Sequence, residues 1–204
     1  MKKLSAFLIA LFIFNSSLYA DSPLTSTDIS KAYQALPIVQ LAAQKAGVLT
    51  PDLMDYLIDT NNPIEIKIAV INQLGWAVEG KKNAPLFYNY LKEKKKYKTH
   101  KKFIKKGLAD EWLCWAYLKA MDNYFNVDEA INYANIAILK NPKSYTFNII
   151  TALIKAQKIS RGNWCEIYTY SNNVRQNKTL VNDMKTTAIS IIFNYMDLYK
   201  KYCV

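Results

Sequence analysis

Pro37, Pro51 and Pro63 each stand at the head of an apolar run with helical spacing. Proline suits the first turn of a helix, because its missing N–H would have no partner there and its fixed φ already matches. Thr50 and Asn62 precede two of these prolines and are capping residue types. Gly47 and Gly75 follow the first and third runs, where a left-handed residue closes a helix. These signals predict short helices at 28–35, 37–46, 51–59 and 63–74. In the last of them Ile64, Ile68, Ile71 and Leu74 share one face. Asn83 is expected to cap a further helix at 84–96.

The second half has the same style. Gly107 precedes a predicted helix at 108–122 that carries Leu108, Trp112, Trp115 and Leu118. Asn126 is expected to cap a helix at 127–140, which Pro142 ends. Helices at 144–158, 163–175 and 180–202 complete the reading. No stretch alternates with period two between hairpin turns. Five glycines and six prolines are few for a sheet with many tight turns. With 51% hydrophobic residues the chain has enough apolar surface for a core. The expected fold is all-α, an irregular superhelix of short antiparallel helix pairs, with about nine or ten helices. One domain at 21–204 is expected, with possible halves 21–96 and 107–204 joined by a lysine-rich segment at 92–106.

The stretch 128–142, DEAINYANIAILKNP, resembles the second helix of a tetratricopeptide repeat. Ala130, Ala137 and Pro142 fall on that family's small-residue and closing-proline positions. Cys114, Tyr117, Leu118 and Met121 fall where its first helix packs. The resemblance covers about one repeat, residues 111–144. Leu118 stands where the family has a small residue, Ala134 where it has a large one, and Trp164 where the next unit would have alanine. The resemblance implies helix-pair packing and a protein-binding role; the N-terminal pairs look more like irregular HEAT-type hairpins.

The N-terminus reads as an export signal. Lys2 and Lys3 open it, residues 4–14 are apolar except for Ser5, and Asn15, Ser16 and Ser17 lead to Ala20. That order is a cleavable signal peptide over 1–20. The apolar run is about half of what a bilayer span needs. Asp21 and Ser22 follow, with no cysteine to carry a lipid, so the expected location is the periplasm or outside the cell, without a lipid anchor. Export permits a disulfide. The cysteines are Cys114, Cys165 and Cys203, so at most one intramolecular bridge can form. Cys114 falls on an apolar face beside Trp112 and Trp115 and reads as a buried thiol. Cys165 with Cys203 is the better pair, because a bridge next to the last residue would pin a fraying end; a chain with no bridge stays open at this point.

Charge is concentrated. Residues 92–106 hold nine lysines, Lys92, Lys94, Lys95, Lys96, Lys98, Lys101, Lys102, Lys105 and Lys106, against Glu93, for a net +8. Loss of Lys2 and Lys3 with the signal takes the formal charge from +11 to +9, so the rest is nearly neutral. One reading is an electrostatic dock for an anionic surface such as lipid or cell-wall polymer. The other is a solvated connector, the common fate of such runs. Lysine without arginine favours diffuse attraction over bidentate recognition, and export removes nucleic acid as the natural target.

No catalytic motif is legible. His100 is the only histidine, the cysteines are far apart in sequence, and there is no phosphate loop or nucleophile elbow. No metal and no cofactor are expected. Asp52 with Asp55, and Asp128 with Glu129, fall in first turns, where acids complement the helix dipole. Glu79 and Glu166 are the least explained acids. Trp112, Trp115, Tyr117, Tyr124 and Phe125 are expected in the core. The expected function is an exported, non-enzymatic helical scaffold that binds another protein in the cell envelope. A periplasmic toxin-neutralising protein of the immunity type is one alternative, and a helical cell-wall-cleaving enzyme is the other.

Overall fold

The computed structural model describes residues 22–95, 97, 99–159 and 162–203, so the expected signal at 1–20 and Lys96 and Lys98 lie outside the described residues. A 3₁₀ helix at Ile29–Tyr33 comes first. Ten α-helices follow: α1 Pro37–Gln44, α2 Pro51–Ile58, α3 Ile64–Gln73, α4 Asn83–Lys94, α5 His100–Lys106, α6 Ala109–Asp122, α7 Asp128–Lys140, α8 Tyr145–Ile159, α9 Trp164–Gln176 and α10 Thr186–Met196. A second 3₁₀ helix, Asp197–Tyr202, ends the described chain. The fold is all-α, and among the described residues the β structure amounts to an isolated bridge between Ser144 and Val181.

The helix starts follow the prolines with one shift. Pro37 and Pro51 occupy the first helical turn. Pro63 is the N-cap of α3, one place earlier than expected. Asn83 opens α4 and does not cap it. Its side chain serves the tertiary fold: Oδ1 accepts from the Leu49 N–H at 2.9 Å and Nδ2 donates to the Gly47 carbonyl at 2.9 Å. Val127, in place of Asn126, precedes α7. The expected helix at 180–202 is shorter than the sequence implies. Asp183 holds its first residues out of helical geometry, with Oδ1 accepting from the Thr146 N–H at 2.7 Å and Oδ2 accepting from the Ser144 hydroxyl. Asp183 thus caps α8 from a distant part of the chain, satisfying an N–H that the helix itself leaves unpaired.

Helices adjacent in sequence form the two most extensive interfaces, α6 with α7 and α8 with α9. A short connection between helices packed along each other makes a hairpin. One buried apolar cluster runs from Leu24 to Tyr199 and takes residues from both sides of the lysine segment. In it α6 is central, with Trp112, Leu113, Cys114, Ala116 and Tyr117 all fully buried.

Several polar groups inside this core are paired, while among the described residues Glu111 Oε1, Trp112 Nε1 and Asp122 Oδ1 are buried without a hydrogen-bond partner. Asn72 on α3 accepts from the Ser30 N–H at 2.9 Å, and donates to the Thr27 carbonyl at 3.1 Å and the Tyr117 hydroxyl at 2.9 Å. That one amide ties the N-terminal segment to α3 and α6. Lys67, only 1% exposed, donates to Asp110 at 2.8 Å. The two ends of the chain meet on Glu65: its Oε2 accepts from the Tyr33 hydroxyl and, at 2.6 Å, from the Lys185 N–H.

Candidate functional site

The described residues of the lysine segment are largely helical. Its first lysines finish α4, and the later ones form α5, a seven-residue helix. Thr99 caps α5, its hydroxyl accepting from the Lys102 N–H at 3.2 Å. Two aromatic side chains pin the segment to the body: Tyr97 is 7% exposed and Phe103 is fully buried. Burial of a large ring contributes about 2–3 kcal/mol, which offsets the self-repulsion of the lysines around it. Gly107 closes α5 where a side chain has no room. A Cβ there would lie 2.6 Å from the Phe103 ring and 2.8 Å from the Trp112 indole nitrogen.

Beneath the lysines lies an aromatic stack. Trp115 is held between Tyr88 of α4, centroids 4.4 Å apart, and Tyr133 of α7, 4.2 Å apart, all three rings nearly parallel. Phe103 stacks on Trp112 at 4.3 Å. The Tyr88 hydroxyl is 3.1 Å from His100 Nδ1, and Lys92 sits 5.0 Å from the Tyr88 ring centre. Glu111 anchors the loop from inside, accepting from the Tyr97 hydroxyl and the Leu108 N–H, each at 2.9 Å. Burial pushes the Glu111 carboxyl up, against those two hydrogen bonds. Burial, with the Glu111 charge second, pushes the Tyr97 hydroxyl up as well.

The heads of Lys92 and Lys94 rest over the Tyr88 and Tyr90 rings. Lys94, Lys101, Lys105 and Lys106 are exposed and Lys92 and Lys95 half-buried. Among the described residues no ion pair engages any of these six. Ile104, 48% exposed, and Leu108, 42% exposed, stand among them.

A second feature lies at the C-terminus. A disulfide joins Cys165 at the start of α9 to Cys203, with Cα atoms 4.8 Å apart. Cys114 is a free, buried thiol, and burial raises its pKa far above the ordinary thiol range. Around the bridge Trp164, Leu198 and Tyr202 remain 45%, 59% and 45% exposed. The Trp164 ring lies 5.1 Å from Tyr202 and 5.6 Å from Tyr199. Together with Tyr195 and Lys201 they line a shallow cleft of about 190 Å³.

The remaining sequence candidates divide. Glu79 lines a polar cleft of about 480 Å³ with Lys81, Lys119, Asp122 and Glu129. Within it Lys119 and Glu129 are paired at 2.6 Å, and Asp122 Oδ2 accepts from the Ala84 N–H at 2.7 Å. Burial raises the Asp122 carboxyl and lowers the Lys81 ammonium, whose Nζ donates to the Leu74 carbonyl and, at 2.8 Å, to that of Gly75. Glu166 lies apart from this cleft, in the first turn of α9, where it accepts from Tyr170 at 3.3 Å. Trp112, Trp115, Tyr117 and Tyr124 are buried, whereas Phe125 is 54% exposed and lies over Tyr124 at the α6–α7 turn. Its place in that turn, past the end of α6, carries it off the core. Among the described residues no group of three or more His, Cys, Asp or Glu side chains is arranged to hold a metal, and no helix is long and apolar enough to cross a membrane. No family model, no curated protein and no solved structure matches the chain.

Proposed function

We propose that this chain is an exported scaffold of tetratricopeptide-like helix hairpins that binds another protein in the cell envelope. One observation carries the reading: Trp164, Leu198 and Tyr202 stand in water around a disulfide that fixes them. Tryptophan and tyrosine dominate the energetic centres of protein interfaces, because large rings gain most from burial with little loss of rotamer freedom. The bridge holds the second 3₁₀ helix against α9, so the rings are ordered before a partner arrives, which lowers the cost of association. Export is supported by the order of residues 1–20 and by the bridge itself, since disulfides persist in oxidising compartments.

The test is recovery of a partner from the envelope fraction. The wild-type chain is expected to retain one protein in fixed stoichiometry, and the Trp164→Ser, Tyr202→Ser double variant to lose it. Equal retention by both, or turnover of a cell-wall substrate with no retained protein, would sink the reading. N-terminal sequencing of the secreted chain is expected to begin near Asp21.

A further inference from the structure

We infer that the corner formed by the end of α4, α5 and Leu108 docks on an anionic lipid surface. This does not rest on the protein-binding reading above, which concerns other residues. Three observations carry it. The first is excess charge, a net +8 over residues 92–106. Lys92, Lys94, Lys95, Lys101, Lys105 and Lys106 have no ion-pair partner among the described residues. The Asp55 charge bears on Lys94 and the Glu111 charge on Lys95, but neither acid forms an ion pair with them. Asp55 accepts from Tyr90 at 2.5 Å, Glu111 is buried beneath Tyr97, and Glu129 is paired with Lys119. Glu93 is the one acid within the segment itself.

The second observation is the kind of charge. All nine cations of 92–106 are lysine. Lysine is a strongly hydrated point charge on a flexible stem, and it is depleted in protein interfaces, where arginine and aromatic rings are enriched. A sheet of lipid headgroups offers diffuse negative charge with no fixed hydrogen-bonding pattern, which such heads match. The third is apolar. Ile104 is 48% exposed and Leu108 is 42% exposed, and on α5 Ile104 lies one turn from Lys101 and next to Lys105. Lysines around exposed aliphatic side chains make the composition of an interfacial helix, whose apolar residues enter the boundary between headgroups and acyl chains. Phe103, the residue before Ile104 and about 100° round the helix, is locked onto Trp112, so α5 presents Ile104 without leaving the body.

The experiment is co-sedimentation of the purified full-length protein with vesicles of phosphatidylglycerol in phosphatidylcholine, against vesicles of phosphatidylcholine alone. Binding is expected only to the first, and to weaken as salt shortens the Debye length from about 30 Å at 0.01 M to about 8 Å at 0.15 M. Replacement of Lys94, Lys95, Lys101, Lys105 and Lys106 by Gln is expected to lower partitioning by at least about 100-fold. Ile104→Ser is expected to lower it about tenfold while leaving binding to soluble polyglutamate unchanged. Trp164→Ser is expected to bind vesicles like the wild type. All of these positions are exposed except the half-buried Lys95, and near-UV circular dichroism of the aromatic stack verifies that the variants are folded. Equal binding to neutral vesicles overturns the inference. So does an Ile104→Ser variant that binds vesicles as the wild type does while polyglutamate competes; that result would identify the corner as a dock for acidic protein or polymer.

Discussion

Asn72 uses three of its hydrogen-bonding positions on three separate groups of the N-terminal segment and α6. Its truncation leaves the Ser30 N–H and the Tyr117 hydroxyl buried and short of a partner, while the Thr27 carbonyl keeps the Ile29 N–H. Each such group costs about 1–3 kcal/mol, so Asn72→Ala is expected to lower stability by about 2–4 kcal/mol, measured by urea denaturation. Lys67 and Asp110 are unequal. Lys67 is fully buried and Asp110 is 28% exposed. Asp110→Ala strands a buried ammonium and is expected to cost about 3 kcal/mol, whereas Lys67→Met leaves a carboxylate that water can reach and is expected to cost far less. Glu111 and Asp122 make stability depend on pH. Burial raises both from ordinary values of 4.5 and 3.8. Between each ordinary value and its raised one, the folded chain holds a proton that the unfolded chain has lost. The contribution of these groups is therefore greatest below the ordinary values and declines as pH rises through that window. Glu111→Gln is expected to flatten part of this decline in denaturation curves taken across the window. None of these roles was legible in the sequence, where Asn72, Lys67 and Glu111 are polar residues on amphipathic helices and only tertiary packing reveals what they face.

Helix α5 shows what sequence patterning conveys about an element. Its charge reads as a solvated connector, because seven residues with four lysines carry little helical periodicity. The local signals were nevertheless present: Thr99 as a cap, Phe103 as an anchor and Gly107 as a close. Gly107 is the critical one, since its φ is ordinary and its role is space. Gly107→Ala is expected to force Phe103 and Trp112 apart, destabilise the chain by about 1–3 kcal/mol and diminish the near-UV circular dichroism of the stack. The starts of α1 and α2 were legible because proline acts through its own ring. The delayed start of α10 was not, because the residue that delays it, Asp183, is occupied 37 residues away at Thr146.

At the scale of the whole molecule, proline-headed runs and the lack of alternation were enough to give an all-α fold. The joining of its parts was not readable, because Asn72, Lys67 and Glu65 are isolated side chains that connect segments and leave no period in the sequence. The Cys165–Cys203 bridge closes a segment 38 residues apart, and its removal by Cys203→Ser is expected to cost about 2–4 kcal/mol, read as a lower melting temperature in non-reducing buffer. Cys114 bears on how that bridge is chosen. An unfolded chain with three cysteines has three possible pairings, and two of them use Cys114. Folding seals that thiol inside α6, beyond the reach of oxidants and exchange partners. Pairing is thus selected by enclosure: a chain that packs α6 before it meets an oxidant has one productive partner left for Cys203, and a chain that meets the oxidant first must be reshuffled.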